Sequence, residues 1–329
     1  MRISNKKFIL SIGSFFLITV CIMIIVAIRA PKEFPKKQFD LNISENSSLS
    51  RIADDLSRKN IISSAFLFKV FIVIFGGQKS LFAGDYRFTE TQNVYSIARR
   101  MVKGEQGLPK IKITIPEGTN VSDMAYIYMT KLTKFNAPKF VALARKEEGY
   151  LFPDTYYFLS NTKPEQIIKE MKANFEEKIN TIKEEIDKSN KSLKDIIIMA
   201  SIIEKEARGY EDKKMVSGIL WLRLKNNMLL QVDPPFYFIT GKTTPITYDD
   251  LKIDSPYNTY KYKGLPKGPI SNPSIESIRA AVNPSTNNYL FYLTGKDGIM
   301  RYATTYSGHL KNKNIYLIQH ISVLCKPQK

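Results

Sequence analysis

Cysteine, histidine and tryptophan are scarce in this chain, and the first two scarcities exclude particular classes of protein. Only two cysteines occur, Cys21 and Cys325, so a disulfide framework is excluded and the 329-residue chain depends on hydrophobic cores. With only two histidines and no cysteine cluster, the sequence predicts no zinc site, and no cofactor is expected. Internal repeats and extended low-complexity tracts are also missing, which excludes solenoid and disordered proteins. The length and the 43% of hydrophobic residues suffice for two domains.

Acidic residues are too few to balance the basic ones. The chain carries 49 lysines and arginines against 31 aspartates and glutamates, which gives a formal net charge of +18. Such an excess favours an anionic partner, either nucleic acid or an anionic surface. The basic residues are scattered among acidic ones, as in residues 163–194, and neither a zinc-finger nor an RNA-recognition signature accompanies them. We therefore expect no nucleic-acid partner.

Long uncharged runs are rare, and the one that opens the chain is long enough to cross a membrane. Residues Phe8–Ile28 carry no charge, and a helix of this length spans about 30 Å, the thickness of a hydrocarbon core. The run predicts a single transmembrane helix at residues 8–28; a cleaved signal peptide is the alternative, although Arg29 interrupts the expected cleavage site. With a tail of only residues 1–7, we expect the N-terminus to lie inside the cytoplasm. Residues 29–38, with prolines and lysines, predict a stiff linker.

The rest of the chain predicts two folded regions of the α+β class. Residues 39–107 form a small mixed domain with predicted elements at Phe39–Asn42, Leu49–Lys59, Ser64–Phe75, Gly84–Phe88 and Val94–Lys103. Residues 108–329 form a larger α/β domain that begins with the alternating strand Ile111–Ile115. Its predicted helices are Val121–Leu132, Pro164–Lys188, Leu193–Arg208 and Lys213–Lys225.

One carboxylate, Glu204, lies in the otherwise apolar run of the helix Leu193–Arg208. A helix that is apolar all round is buried, and burial raises the pKa of a carboxyl group toward the range in which it donates protons near neutral pH. Glu204 is therefore a candidate general acid. The helix pattern alone leaves an alternative open, a structural ion pair with Arg208 one turn later. Glu206 lies about 200° further round the helix and is expected to be solvated or paired.

The last third of the chain is rich in turns, polar groups and aromatic rings. Three such stretches stand out, Leu230–Pro235, Ser255–Tyr260 and Gly264–Pro273. Ordered loops of this composition are typical of cleft walls, and neutral hydrogen-bonding groups beside aromatic rings suit a sugar. In the alternative interpretation, the prolines and glycines only form tight turns.

Several of these motifs together resemble the endolytic murein transglycosylases, the MltG or YceG-like family. The resemblance is carried by Ala200–Ala207, Leu230–Pro234, Tyr257–Tyr260, Gly264–Ile270 and the pair Asn272 and Pro273. Upstream, Gly84–Phe88, Ile115–Gly118 and Glu148–Thr155 also match, so the likeness covers nearly the whole chain in the expected order.

The resemblance implies a bacterial lytic transglycosylase of the cytoplasmic membrane, single-pass, with a LysM-like subdomain at 39–107 and a catalytic domain at 108–329 outside the cytoplasm. Its substrate would be the glycan strand of nascent peptidoglycan. The strand would be cut between N-acetylmuramic acid and N-acetylglucosamine to leave a 1,6-anhydro end, which stops elongation. Peptidoglycan synthases are expected partners, and the positive charge suits anionic lipid headgroups and the carboxylates of wall peptides.

The resemblance also implies site residues. Glu204, the first glutamate of Glu-Lys-Glu, would be the single catalytic acid, and Asp233 would shape the cleft without attacking the substrate. The implied substrate-binding residues are Ser201, Gln231, Asp233, Tyr257, Asn258, Thr259, Tyr260, Asn272, Thr304 and His309.

Three positions depart from the family pattern. Pro235 replaces a threonine, Met300 a histidine and Gly308 a glutamate, which puts contacts at these positions in doubt. Two other functions stay open: a wall-binding scaffold without catalysis, and a hydrolytic muramidase that uses a second carboxylate.

Overall fold

The computed structural model describes residues 28–34, 38–44, 47–77, 84–133 and 135–318, together with Thr19. The chain forms two compact units, Met1–Lys110 with Leu159–Asn161, and Ile111–Phe158 with Thr162–Lys329. Both are built from helices and small two-stranded sheets, an α+β architecture. The name LysM-like for residues 39–107 stays a prediction.

The membrane-spanning part of the predicted fold class requires a correction. Within the described residues, no helix combines the length and the apolar character that a membrane crossing needs. The predicted transmembrane helix at Phe8–Ile28 is therefore not supported. Apart from Thr19 and Ile28, its residues lie outside those that the structure describes.

The first unit pairs two strands beside three helices. Strands β1 (Phe39–Ile43) and β2 (Gly84–Phe88) are antiparallel, with Leu41 opposite Tyr86. The helices are α1 (Leu49–Arg58), α2 (Ala65–Ile74) and α3 (Val94–Val102). Each begins at a side-chain N-cap, Ser48, Ser64 and Asn93 respectively, which accepts a hydrogen bond from a first-turn N–H.

The second unit begins with its own small sheet and three helices. Strands β3 (Lys110–Thr114) and β4 (Thr155–Leu159) pair with each other. Helices α4 (Val121–Lys131), α5 (Ala137–Ala144) and α6 (Pro164–Asn180) bury an aromatic core that includes Tyr128, Phe140 and Phe158. The helix predicted over 164–188 is interrupted after Asn180 and resumes as α7 (Lys183–Lys188), because the side chain of Thr181 donates to the carbonyl of Lys178 and caps the end.

A second core surrounds helix α8 (Leu193–Glu206), which is buried without interruption from Ile196 to Ile203. Helices α9 (Tyr210–Lys225), α10 (Pro234–Thr240) and α11 (Ile275–Val282) pack against it. The antiparallel hairpin β5 (Phe291–Thr294) and β6 (Met300–Ala303) and helix α12 (Tyr306–Lys313) follow. Helix α8 ends two residues earlier than predicted, because Ala207 is extended (φ −135°, ψ 147°). Glu206 is therefore the last helical residue.

Candidate active site

The last turn of α8 presents two glutamates to different sides of the second unit. Glu204 and Glu206 are separated by about 200° around the helix axis. Glu204 faces the start of α11 and helix α9, where it contacts Ser274 and Lys213. Glu206 faces a cleft between the loop before α10 and strand β5. The two carboxyl groups therefore have different partners although they are neighbours in sequence.

Glu204 is enclosed by hydrogen-bond donors and a buried lysine. Its Oε2 accepts hydrogen bonds from the backbone N–H (2.8 Å) and the hydroxyl (2.5 Å) of Ser274, the N-cap of α11. Its Oε1 lies 3.2 Å from Nζ of Lys213, and the two side chains are 8% and 3% exposed. Glu204 therefore pairs with Lys213 of helix α9, and not with Arg208 as the helix pattern allowed. Removing either partner of a pair this buried would leave the other charge uncompensated.

The pKa of Glu204 moves in the direction opposite to the predicted one. Burial raises it, as expected, but the hydrogen bonds from Ser274 and Ser277 and the charge of Lys213 outweigh burial and bring the pKa below its usual value. The position of the carboxylate at the N-terminus of α11, where the helix dipole is positive, acts in the same direction. Glu204 is therefore ionised at neutral pH.

A third carboxyl group approaches Glu204 from the turn Pro116–Gly118. Burial and the charge of Glu204 raise the pKa of Glu117, while the charge of Lys213 lowers it. The turn comes so close that a Cβ atom on Gly118, whose φ is +73°, would lie 3.1 Å from Cγ of Glu204. Glycine at this position lets the turn lie close against the side chain of Glu204.

Glu206 opens into a cleft with a volume of about 380 Å³. The residues that line it come from α8, α9, the loop before α10, the loop at residues 255–262, β5 and α12: Glu206, Arg223, Gln231, Val232, Asp233, Tyr260, Phe291, Tyr292, Leu293, Thr294, Tyr306 and His309. Acids, amides, hydroxyls and rings share the surface, the mixture expected for a polar ligand with apolar faces.

The cleft raises the pKa of Glu206 to about 7. Burial is the main cause of this rise, and the charge of Asp233 adds to it. A hydrogen bond from Tyr292 and the charge of Arg223 act in the opposite direction and lower the pKa. Glu206 also stands at the C-terminal end of α8, where the helix dipole disfavours an anion. At neutral pH this carboxyl group is divided between its protonated and ionised forms, as general acid–base catalysis requires.

Four of the predicted substrate-binding residues line this cleft: Gln231, Asp233, Tyr260 and His309. The hydroxyl of Tyr260 donates to Oδ1 of Asp233 at 2.7 Å, which holds this exposed carboxylate in place. Gln231 has a φ of +49°, a strained value for a residue with a side chain. Its N–H donates to the carbonyl of Thr259, so the surrounding loops hold the strained backbone.

Four other predicted residues are buried and use their polar groups inside the protein. Ser201 donates to Ile198 and accepts from the N–H of Ile270. Asn258 bonds with four backbone groups of its own loop. Thr259 exchanges two hydrogen bonds with the backbone of Val232. The side chain of Asn272 bonds with Glu148 and with the backbone of Thr119, Gly149 and Leu151. These residues hold the loops that shape the cleft.

The structure places the last two predicted residues outside the cleft lining. Tyr257 is half-buried, with its ring 5.2 Å from that of Phe238. Thr304 is exposed just before α12. Of the departures from the family pattern, Pro235 is buried in the first turn of α10, and Met300 pairs with Thr294 across the hairpin. The N–H of Gly308 donates to the side-chain cap of α12, Thr305.

Five other lining residues with polar groups or rings were not predicted from the sequence: Arg223, Phe291, Tyr292, Thr294 and Tyr306. Arg223 is buried, and its guanidinium group donates to the carbonyls of Leu230 and Leu290, which joins the two walls of the cleft. An arginine on a helix otherwise packed into a core was the one available signal. Among the described residues, no group of three or more histidine, cysteine or carboxylate side chains is placed to hold a metal ion.

Known proteins similar to this chain were found by sequence and by structure. A crystal structure of a YceG-like protein from Listeria monocytogenes is 33% identical, with a TM-score of 0.56, over 84% of this chain and 99% of that one. An endolytic murein transglycosylase from Bacillus subtilis is 32% identical over 310 residues, 86% of each chain. One from Streptococcus pneumoniae is 26% identical over 320 residues, which are 84% of this chain but 58% of that protein.

The model of the YceG-like family matches residues 41–315. This match spans both units and confirms the resemblance that the sequence motifs indicated. The chain belongs to the YceG-like family.

Proposed function

We propose that this chain cuts the glycan strands of peptidoglycan with Glu206 as its single acid–base group. The reaction class follows from the family and from the relatives named endolytic murein transglycosylase: the chain is a lytic transglycosylase, a lyase that acts on peptidoglycan. The observation that supports Glu206 is its position, half-buried in an open cleft that raises its pKa to about 7. Glu204, the residue that the motif predicts, is ionised and covered on its own side of α8.

The reaction needs a proton donor and then a proton acceptor at one place. Protonated Glu206 donates to the glycosidic oxygen between muramic acid and glucosamine, and the bond from C1 of muramic acid to that oxygen breaks. The freed glucosamine keeps the proton as a hydroxyl group. The C6 hydroxyl of the same muramic acid attacks its own C1, and ionised Glu206 takes its proton. No water is consumed, and Glu206 ends the reaction protonated again, with the proton of the C6 hydroxyl in place of the one that it gave.

An intramolecular attack explains why one carboxyl group is enough. Ordinary glycosidases use two, one as the acid and one to attack or to activate water. The C6 hydroxyl is already attached to the sugar that it attacks, so proximity replaces the second group. Asp233 then raises the pKa of Glu206 by its charge and shapes the cleft with Gln231.

Hydrolysis is the second candidate reaction, because Asp233 is an exposed carboxylate in the same cleft. If Asp233 activated a water molecule, the products would carry reducing ends and would be heavier by one water than the anhydro products. A wall-binding scaffold would yield no product.

One experiment separates these outcomes. Purified chain and its Glu206→Gln and Glu204→Gln variants are incubated with uncrosslinked glycan strands, and the products are identified by mass spectrometry. We expect internal cuts with 1,6-anhydro ends from the wild type and from folded Glu204→Gln, and no cuts from Glu206→Gln. Cutting by Glu206→Gln, together with a folded but inactive Glu204→Gln, would return the acid role to Glu204.

We also propose where the enzyme acts. Nascent strands lie outside the cytoplasm next to the membrane, and cutting there ends a growing strand close to its synthases. The net charge of +18 supports attraction to anionic lipid headgroups and wall carboxylates. Binding of the chain to anionic vesicles should weaken as salt increases. Binding that does not depend on salt would contradict this attraction.

A further inference from the structure

We propose that Tyr306, His309 and Phe291 form a stacking platform that binds a sugar ring of the glycan strand beside the acid. All three side chains line the same cleft as Glu206. This inference rests on the proposed function, because it names a contact for the substrate of that cleft.

The three rings contact one another in one cluster, and the guanidinium group of Arg223 lies against one of them. The guanidinium carbon of Arg223 lies 5.2 Å from the ring centre of Phe291. The centre of Phe291 lies 5.6 Å from that of His309, at an interplanar angle of 29°. His309 lies 6.3 Å from Tyr306, at 30°. The centres of Phe291 and Tyr306 lie 5.9 Å apart at 55°, so the three rings form a triangle with Arg223 beside Phe291.

The cluster is open to solvent at Tyr306. Tyr306 is 61% exposed, whereas Phe291 and His309 are half-buried behind it. Burial and the charges of Lys313 and Arg223 lower the pKa of His309, so its ring is uncharged at neutral pH. An uncharged aromatic surface beside a polar cleft suits a ligand that has one apolar face and hydroxyl groups at its rim.

The platform is held in place before any ligand binds. Helix α12 starts at the side-chain cap Thr305, which accepts a hydrogen bond from Gly308 at 3.1 Å. Asn312 donates to the carbonyl of Tyr302 at 3.2 Å, and the hydroxyl of Tyr302 donates to Asp212 at 2.7 Å. These bonds join α12 to β6 and to α9. A platform already ordered loses little entropy on binding.

A sugar ring fits these surroundings better than the peptide stem of peptidoglycan. The pyranose ring presents C–H groups on one face, which pack on an aromatic ring, and hydroxyls at the rim, which reach donors and acceptors. Next to the platform the cleft offers Thr294, Gln231 and Asp233 for such hydroxyls. The lining holds only two aliphatic side chains, Val232 and Leu293, so its apolar surface is mainly aromatic. We therefore assign the platform to the glycan.

The test measures binding separately from cleavage. The dissociation constant for uncrosslinked glycan strands is measured by calorimetry for three proteins. These are Glu206→Gln alone, Glu206→Gln with Tyr306→Ala, and Glu206→Gln with Tyr306→Phe. We expect Tyr306→Ala to weaken binding about tenfold and Tyr306→Phe, which keeps the ring, to stay within about twofold. Tyr126→Ala is the matched control, because Tyr126 on α4 is 66% exposed and does not line the cleft; its binding should not change.

Strands with and without stem peptides distinguish the two possible contacts. Equal loss of affinity for both kinds of strand in Tyr306→Ala supports a sugar contact. An effect confined to strands with stem peptides, or no effect at all, overturns the proposal. In the chain with Glu206 intact, Tyr306→Ala should raise KM about tenfold and leave kcat within about twofold. Mass spectrometry of the binding samples shows whether Glu206→Gln still cuts, so failure of the proposed function is recognised independently.

Discussion

The two sides of the last turn of α8 show how neighbouring carboxyl groups acquire opposite properties. Both glutamates are largely withdrawn from water, and burial raises the pKa of each. For Glu204, the hydrogen-bond donors of Ser274 and the charge of Lys213 reverse the rise in pKa that burial causes. For Glu206, the charge of Asp233 adds to that rise, and the net pKa is about 7. Burial raises both pKa values, so the donors and the lysine around Glu204 decide that Glu206, and not Glu204, can carry a proton at neutral pH.

The largest expected effect in this comparison is on catalysis. Replacing Glu206 by glutamine removes both the proton donor and the proton acceptor, and we expect kcat to fall by roughly 10³-fold or more. The rate of release of anhydro ends measures it, and thermal unfolding checks that the variant is folded. A variant that keeps more than about a tenth of the wild-type rate would show that another group supplies the proton.

The second-largest expected effect is on stability and concerns Glu204. Replacing Glu204 by glutamine leaves Lys213 buried without its counter-charge, which we expect to cost about 3–5 kcal/mol of unfolding free energy. Denaturant unfolding measures this cost. The double variant Glu204→Gln with Lys213→Met removes both charges and should recover much of the loss. If the single variant were as stable as the wild type, the ion pair would not be structural.

The third effect is on the pH dependence. The acid step needs protonated Glu206, so kcat/KM should fall as the pH rises through about 7. Replacing Asp233 by asparagine removes a charge that raises the pKa of Glu206, and this alkaline limb should move to lower pH. A pH–rate profile of both proteins measures the shift. A limb that stays in place would show that Asp233 does not act on Glu206.

The contributions of Glu206 and Glu204 to the stability of the fold should depend on pH in opposite directions. The folded pKa of Glu206 is raised, so its contribution to stability is complete below the ordinary pKa of 4.5 and is lost as the pH rises through about 7. The folded pKa of Glu204 is lowered, so its contribution is present above 4.5 and is lost as the pH falls through the folded value. Unfolding free energies of Glu206→Gln and the wild type across this range should converge at acid pH.

The smallest effect concerns the support of the cleft wall. Replacing Tyr260 by phenylalanine removes the hydroxyl that donates to Asp233, and we expect a loss of about 1 kcal/mol in unfolding free energy. The alkaline limb should move less than in Asp233→Asn, because the charge remains. Chemical denaturation and the pH–rate profile measure the two quantities. A shift as large as that of Asp233→Asn would mean that the hydroxyl, and not the charge, sets the pKa of Glu206.

Local patterns determined much of what was predicted. The apolar run after Ser192 was sufficient to predict helix α8, since a side-chain cap and a continuous apolar surface define a buried helix whatever packs against it. The order of motifs was sufficient for the family, which the match over residues 41–315 confirms. Asn258 and Thr259 were predicted to bind substrate, and the structure shows their polar groups bonded with the backbone of their own loops and of Val232.

The sequence by itself determined that two carboxyl groups leave the end of one buried helix on different sides. Only the tertiary structure decided which side is a cleft. Ser274, whose hydrogen bonds ionise Glu204, lies 70 residues further along the chain, and Tyr292 and Asp233 reach Glu206 from separate loops and strands. A helix pattern records the angle between two side chains, but a pKa depends on the charges, donors and water around each one. Those surroundings exist only once distant segments have packed together.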